Sequence, residues 1–346
     1  MTRTRTGQWL AIWAVMVALT VVIGGITRLT ESGLSITEWR PVSGVLPPIG
    51  QAAWEAEFAK YRQIPEFQLE APNMTLAGFK RIFFWEYLHR LWARVVGLAI
   101  AVPGLLGLAR GWFPAPIRGR VIAMGFLTLG QGALGWFMVR SGLSGRTDVS
   151  QYRLAAHLGL ALVLFMVALW TAADLLARRD RARPDAGRVR RLAGWTLVVV
   201  FVTIMAGAFV AGTNAGKIFN EFPLMGGRVV PAGYLRLEPW WTNPFANVIA
   251  IQFNHRVLAV VSLVVVSLLG WRAWRAGAPA ALSVGLMAVV GAQFVLGLVT
   301  LLWSVPVSAA ALHQLGAVAL LGLVLLAYHW ARGGPPATLD FDSGHR

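Results

Sequence analysis

Long apolar runs separated by shorter polar stretches make up most of the chain. Eight of the runs are long enough to cross a bilayer, which takes about 17–25 apolar residues in a helix. They lie at residues 8–26, 87–109, 119–139, 154–176, 192–211, 247–270, 280–302 and 309–331. The pattern therefore predicts an all-α polytopic membrane protein with eight transmembrane helices.

The composition supports this prediction, because only 13% of the 346 residues are charged, against about 25% in soluble domains. The absence of cysteine excludes disulfides, Cys-ligated zinc, iron–sulfur clusters and thiolate-ligated haem. The net charge is +16, but most arginines lie in short segments between apolar runs. We therefore expect a lipid membrane, and no nucleic acid, as the partner.

The distribution of arginine predicts the orientation in the membrane. Arginines are concentrated at 110–120, 174–191 and 271–276, whereas the long segments 27–86 and 212–246 hold fewer per residue. The positive-inside rule places the arginine-rich segments, and with them both termini, in the cytoplasm. For a bacterial inner membrane, the two long loops then face the periplasm.

An internal repeat relates the two halves of the chain. His89-Arg90 recurs as His255-Arg256, and further matches pair Gly24, Thr30, Gly33, Glu38, Gln131 and His157 with Gly207, Thr213, Gly216, Glu221, Gln293 and His313. Because each half holds four spans, the halves are expected to share one orientation, as parallel repeats related by an axis along the membrane normal.

The repeat defines the predicted domain boundaries. Residues 1–177 form the N-terminal four-helix half and residues 192–333 the C-terminal half. An arginine-rich cytoplasmic linker at 178–191 joins them, and a polar tail at 334–346 follows.

Four histidines are matched between the halves: His89, His157, His255 and His313. Each opens a span that enters the membrane from the outer side, so all four lie at similar depth. If the second and fourth spans of each half face each other, two imidazoles can approach one haem iron from opposite sides. The alternatives are histidines that only end a helix at a wet interface, or a zinc site, for which two histidines per half offer too few ligands.

Two arginines, Arg90 and Arg256, directly follow the first histidine of each pair. An arginine can bind a haem propionate bidentately, and it can equally extend to the membrane interface with no ligand. Both interpretations stay open on sequence alone.

One acidic residue distinguishes the halves. Glu86 precedes His89 by three residues and shares its helix face, whereas Gln252 stands at the matching place before His255. A carboxylate can relay protons or stabilise positive charge, which an amide does poorly. The first site is therefore predicted to be reactive and the second to hold a haem or relay electrons, unless Glu86 is an ordinary charge at the end of a loop.

Several motifs together resemble the haem A synthase family, which oxidises haem O to haem A during assembly of haem-copper terminal oxidases. In the first half they are GGITRLTESGLSITEWRPVSGVLPP (24–48), EYLHRLWARVVG (86–97), QGALGWFMVRSGL (131–143) and AAHLG (155–159). In the second half they are AGTNAGKIFNEFPLMGG (211–227), FNHR (253–256) and ALHQLGA (311–317). Some bacterial members carry a cysteine pair in the first outer loop; this chain resembles the long-loop type without it.

The resemblance implies a two-haem oxidoreductase. His89 and His157 would bind the substrate haem O, His255 and His313 a resident haem b, and Glu86 would be the key acidic residue. Successive hydroxylations with loss of water would convert the C8 methyl group to a formyl group. Electrons would come from a donor such as a ferredoxin, and haem O synthase is a candidate for delivering the substrate.

Two other functions compete with this prediction. A dihaem b-type cytochrome would exchange electrons with quinone or a redox partner, which the placement of all four histidines at one face disfavours. A transporter or haem carrier would require broken helices and charges at mid-membrane, and the span interiors show no obvious charge there.

Overall fold

The computed structural model describes residues 2–143, 145–177 and 186–333. The helices in these residues are α1 (Arg3–Leu29), α2 (Gln51–Tyr61), α3 (Pro65–Glu70), α4 (Leu76–Ala109), α5 (Ala115–Arg140), α6 (Gln151–Leu176), α7 (Ala186–Gly212), α8 (Asn243–Ala246), α9 (Val248–Arg275), α10 (Ala280–Leu302) and α11 (Val307–Ala331). Eight of them, α1, α4–α7 and α9–α11, are long and apolar enough to cross a membrane. The prediction of an all-α protein with eight spans is confirmed.

Two predicted segments lie largely beyond the described residues. Residues 178–185 of the arginine-rich linker and the tail at 334–346 are not among them. The remainder of the linker, residues 186–191, belongs to α7, because this helix begins at Ala186 rather than at the predicted residue 192.

The second span is much longer than its apolar run. Helix α4 has 34 residues and is therefore about 51 Å long, against about 30 Å for the hydrocarbon core of a bilayer. It begins at Leu76 rather than at the predicted residue 87, and the side chain of Thr75 caps it by accepting a hydrogen bond from the Gly78 amide at 3.2 Å. The first turns of α4 therefore extend beyond the apolar segment.

Aromatic side chains pack the first long loop against these outer turns of α4. Phe58 of α2 stacks on Phe79 of α4 with ring centroids 5.0 Å apart, and Trp54 meets Phe83 edge-on at the same distance. Such pairs contribute about 0.5–1.5 kcal/mol each beyond simple burial. The loop is consequently a folded cap on α4.

Glu66 makes this cap sensitive to pH. Burial, together with the charges of Asp148 and Glu86, raises the pKa of Glu66 from 4.5 to about 8. Since the folded cap favours the neutral carboxyl, its stability is expected to be greatest below about pH 4.5 and to fall as the pH rises to about 8. Hydrogen exchange of residues 51–79 between pH 5 and 8.5 measures this. Glu66→Gln should remove the dependence, and an unchanged pH profile in the variant would contradict the assignment.

Each half of the molecule is a ring of four helices. In the first half, α1 and α5 each pack against both α4 and α6, so α4 and α6 lie on opposite corners. In the second half, α7 and α10 each pack against both α9 and α11, which puts α9 and α11 on opposite corners. The halves meet where α1 packs on α11 and where α6 packs on α7 and α11.

A buried ion cluster joins the two halves, at the end of α6 far from the histidines. The Asp174 carboxylate is fully buried and accepts hydrogen bonds from Arg120 at 2.7 Å and Arg332 at 3.1 Å. Its other contact is the Nε2 atom of His329, at 2.9 Å. Asp174 lies two residues before the end of α6 and not at mid-membrane, and its contacts come from side chains of both halves.

Removing this charge should destabilise the protein strongly. Asp174→Asn keeps the shape but removes the carboxylate that pairs with the Arg120 guanidinium group, and breaking a buried ion pair costs about 3–5 kcal/mol. The thermal midpoint of the purified protein in detergent measures the loss. Asp148→Asn is the matched control, since its partner Arg28 is 3.4 Å away and the Asp148 side chain is 44% exposed. A similar shift in both variants would contradict the special role of Asp174.

Candidate haem sites

The structure places the four matched histidines on the opposite corners of the two rings. In the first half, His89 lies on α4 and His157 on α6, the helix at the opposite corner. In the second half, His255 lies on α9 and His313 on the opposite helix α11. All four histidines are partly exposed.

A glycine on the neighbouring helix contacts each of the four imidazoles. A Cβ atom built on Gly24, Gly135, Gly207 or Gly297 would lie 2.9, 3.0, 3.1 or 3.0 Å from the Cε1 atom of its histidine. The partners are, in the same order, His89, His157, His255 and His313. Real Cβ atoms rarely come so close, so any larger residue pushes the ring aside. The contact between glycine and imidazole is thus the same in both halves.

The halves differ in how the rings are fixed. In the second half, His255 Nδ1 lies 3.2 Å from the Thr203 carbonyl, and His313 Nδ1 lies 3.2 Å from the Gln293 carbonyl. Because a carbonyl only accepts, both Nδ1 atoms donate, which leaves each Nε2 lone pair free for a metal. In the first half, the Nδ1 atoms of His89 and His157 are buried without a partner among the described residues. The ring of His157 has a different contact, between its Nε2 and the Nε2 of Gln131 at 3.4 Å. The second pair is therefore preorganised as ligands through Nδ1, and the first pair is not.

Two glutamines stabilise the histidine helices and were missed as site residues. Gln131 donates to the His157 carbonyl at 3.0 Å, and Gln293 donates to the His313 carbonyl at 2.7 Å. The Oε1 atoms of both are buried without a partner among the described residues. The repeat, in which Gln131 recurs as Gln293, was the signal that could have identified them.

Glu86 is buried at the first site. It is 2% exposed, and its Oε2 accepts hydrogen bonds from the Ser35 hydroxyl and the Ile36 amide, each at 2.7 Å. Its Oε1 pairs with Arg90 at 2.6 Å. The alternative of an ordinary loop-end charge is therefore wrong, because Glu86 lies within α4 and binds the segment that follows α1.

Gln252 occupies the matching place with different chemistry. Its amide nitrogen donates to the Phe219 carbonyl at 3.1 Å, and its Oε1 has no partner among the described residues. The first site therefore contains a carboxyl side chain paired with one arginine, and the second contains a neutral amide.

Arg90 and Arg256 bind the outer loops. Arg90 donates to the carbonyls of Ile36 at 2.9 Å and Glu38 at 3.0 Å. Arg256 donates to the matching carbonyls of Phe219 at 2.6 Å and Glu221 at 2.8 Å. These contacts occupy the terminal nitrogens of both guanidinium groups, so the structure assigns them to holding the loops, and propionate binding stays a prediction.

The residues present suit a haem. A porphyrin supplies four nitrogen ligands and needs only two axial groups from the protein, which a facing histidine pair offers. No group of three or more His, Cys, Asp or Glu side chains converges on a metal position within residues 2–143, 145–177 and 186–333. The two histidine pairs therefore suit the axial positions of two haems.

Fold and candidate sites together define a polytopic membrane protein with a matched pair of histidines in each of its two four-helix halves. Residues 7–325 match the family model COX15-CtaA, described as cytochrome oxidase assembly protein, and the chain belongs to this family. It is 48% identical over 333 residues to "Heme A synthase" of Rhodospirillum centenum, covering 95% of this chain and 88% of that protein.

Two other similar proteins carry the same name. "Heme A synthase" of Caulobacter vibrioides is 45% identical over 331 residues, with 93% of this chain and 94% of the relative covered. "Heme A synthase COX15" of Homo sapiens is 42% identical over 327 residues, with 91% and 80% covered. The resemblance inferred from the motifs is confirmed.

Proposed function

We propose that this protein is a haem A synthase that oxidises the C8 methyl group of haem O to a formyl group, producing haem A for haem-copper terminal oxidases. The observation that carries the proposal is a pair of like histidine sites of which one alone contains a buried carboxylate, Glu86. The relatives, which are 42–48% identical over most of the chain, support the same function.

The difference in ring anchoring supports a division of labour. His255 and His313, fixed through their Nδ1 atoms, would hold the resident haem b for the life of the protein. His89 and His157 lack these bonds and would bind haem O, which must enter and leave in each turnover. When bound, haem would supply the redox chemistry of the reaction.

Glu86 would act through its charge. The Ser35 hydroxyl and the Ile36 amide hold the carboxylate in place, and Arg90 pairs with it directly. A fixed negative charge beside the substrate can accept a proton or stabilise positive charge as the methyl group is oxidised. Gln252 cannot do this in the second half.

We infer that the two halves are parallel repeats and that the protein lies in a bacterial inner membrane with both termini in the cytoplasm. The arginine-rich segments support this orientation, and it places both sites towards the periplasm. A ferredoxin-like donor would supply electrons, and haem O synthase would deliver the substrate within the same membrane.

The pigment content tests the proposal against the dihaem cytochrome, which the comparisons do not support. Protein purified from cells that lack haem O should contain about one haem b per chain by pyridine haemochrome analysis, with the first site empty or weakly filled. Adding haem O should fill that site, and a null strain expressing the protein should regain haem A. Two equally retained haems b, together with no haem A in the null strain, would contradict the proposal and favour the cytochrome.

A further inference from the structure

The outer part of α4 carries an arginine for which the proposed reaction has no use. Arg94 lies one helical turn beyond Arg90 and donates its Nε to the Pro41 carbonyl and its Nη2 to the Arg40 carbonyl, each at 2.9 Å. Its Nη1 is buried and has no partner in the described part of the chain. A charged donor that is buried without a partner costs free energy, so we expect this nitrogen to bind a ligand.

A cavity of about 330 Å³ lies beside Arg94, between α4 and the segment 36–57. Its polar lining includes Arg40, Ser43 and Tyr87, and its apolar lining includes Leu46. The volume suits a small polar group with part of an apolar attachment.

The charges around the cavity favour an anion at Arg94. Glu38 and Glu57 line the cavity, but Arg40 and Lys60 pair with both of them. No described carboxylate lies within ion-pair distance of Arg94 itself. The positive charge of Arg94 is thus uncompensated within the described residues.

Apolar side chains continue from the cavity along α4. Four of them are 41–67% exposed on the part of the helix beyond Arg94: Val95, Leu98, Val102 and Leu105. The loop above is also apolar and exposed, with Val42, Leu46 and Ile49 at 72–83%. A ligand with an anionic head group at Arg94 and an apolar chain along α4 would pair with the arginine and cover the exposed apolar side chains.

We propose that Arg94 and this cavity bind the phosphate of a membrane phospholipid whose acyl chains lie along α4. The site is confined to the first half, because the repeat places Val260 where Arg94 stands. An arginine that only extended to the interface would reach water; here the loop holds the guanidinium over a cavity. Arg90 and Arg94 both bind carbonyls of the segment 36–41, and the amide of Ile36 in the same segment binds Glu86. The lipid therefore stabilises the loop that positions the carboxylate.

Native mass spectrometry of the detergent-purified full-length protein tests the site, with dioleoyl phosphatidylglycerol as the probe. Arg94→Gln is expected to retain this lipid about tenfold more weakly, since hydrogen bonds to charged groups contribute at least this much. Arg81→Gln, which removes the same charge from an exposed position on α4, should behave like the wild type. Equal retention by the wild type and Arg94→Gln would overturn the proposal.

A second variant, Ser43→Glu, tests the same site if Arg94→Gln does not fold. Ser43→Glu leaves both carbonyl bonds of Arg94 intact and places a carboxylate in the cavity, so it should also weaken lipid retention. A separate arm adds inorganic phosphate alone. Displacement of the lipid by millimolar phosphate, or retention unchanged in Ser43→Glu, would show that the site is not built for a phospholipid.

Discussion

Glu86→Gln is expected to lower the rate of haem A formation by about 100-fold or more while haem b stays bound. Glutamine has the shape of glutamate but no charge, and removing a positioned acid–base group typically costs about 10²–10⁴ in rate. The amide would also present a donor to the Ser35 hydroxyl, the Ile36 amide or Arg90, all of which donate to Glu86 now. Haem extracted from membranes of a complemented null strain, separated by chromatography, measures the ratio of haem A to haem O.

Two further variants separate the charge of Glu86 from its contact with the loop. Ser35→Ala removes one donor to the carboxylate and leaves the charge, so it should reduce the rate by less than about tenfold. Glu31→Gln removes an exposed carboxylate paired with Lys217 at 3.6 Å and should have no effect. If Ser35→Ala is as inactive as Glu86→Gln, Glu86 acts by holding the loop. Wild-type activity in Glu86→Gln would refute its role altogether.

Hydropathy predicted the eight spans because a bilayer imposes a minimum apolar length, and it failed where a helix continues in another environment. The outer turns of α4 contain Lys80 and Arg81, which end an apolar run, and also Phe79 and Phe83, which are buried in the aromatic cluster of the cap. A long apolar run indicates a helix segment in contact with lipid. It does not indicate helix turns that a folded loop buries outside the membrane.

The repeat predicted the histidine pairs but not what surrounds them. Gly24 and His89 are far apart in sequence, so their contact depends on how α1 packs against α4. The unequal Nδ1 contacts arise from small shifts between like residues, since the Thr203 carbonyl bonds a histidine and the matching carbonyl of Thr20 has no such bond. Differences of this size leave no trace in a sequence pattern.

Residues that do not recur were the hardest to interpret. Asp174 and His329 have no counterpart in the other half, and neither lies in a recognisable motif. They meet only because α6 packs on α11 across the junction of the halves. Arg90 was ambiguous for a similar reason, because its carbonyl partners belong to a loop whose path the sequence does not specify.

The glycine contacts allow the two sites to be disabled one at a time. Gly297→Val puts a Cβ atom 3.0 Å from the His313 ring, and overpacking of this kind costs about 1–3 kcal/mol. The variant is expected to lose about tenfold in haem b occupancy or more, approaching the empty site of His255→Ala. Gly291→Val on the same helix is the matched control, because nothing lies within 4 Å of a Cβ atom there. Absorbance of the purified proteins gives the occupancy.

A glycine-to-valine substitution beside a histidine of the first half should spare the bound haem b and abolish haem A formation. Gly135→Val crowds the His157 ring at 3.0 Å, whereas Gly132→Val on the same helix meets nothing within 4 Å. Gly135→Val is therefore expected to keep its haem b and lose haem A formation, with Gly132→Val active. Loss of haem b in Gly135→Val but not in Gly297→Val would reverse the assignment of the sites. Such a reversal would also mean that Nδ1 anchoring marks the site of exchange, because the anchored rings would then belong to the pair that releases its haem.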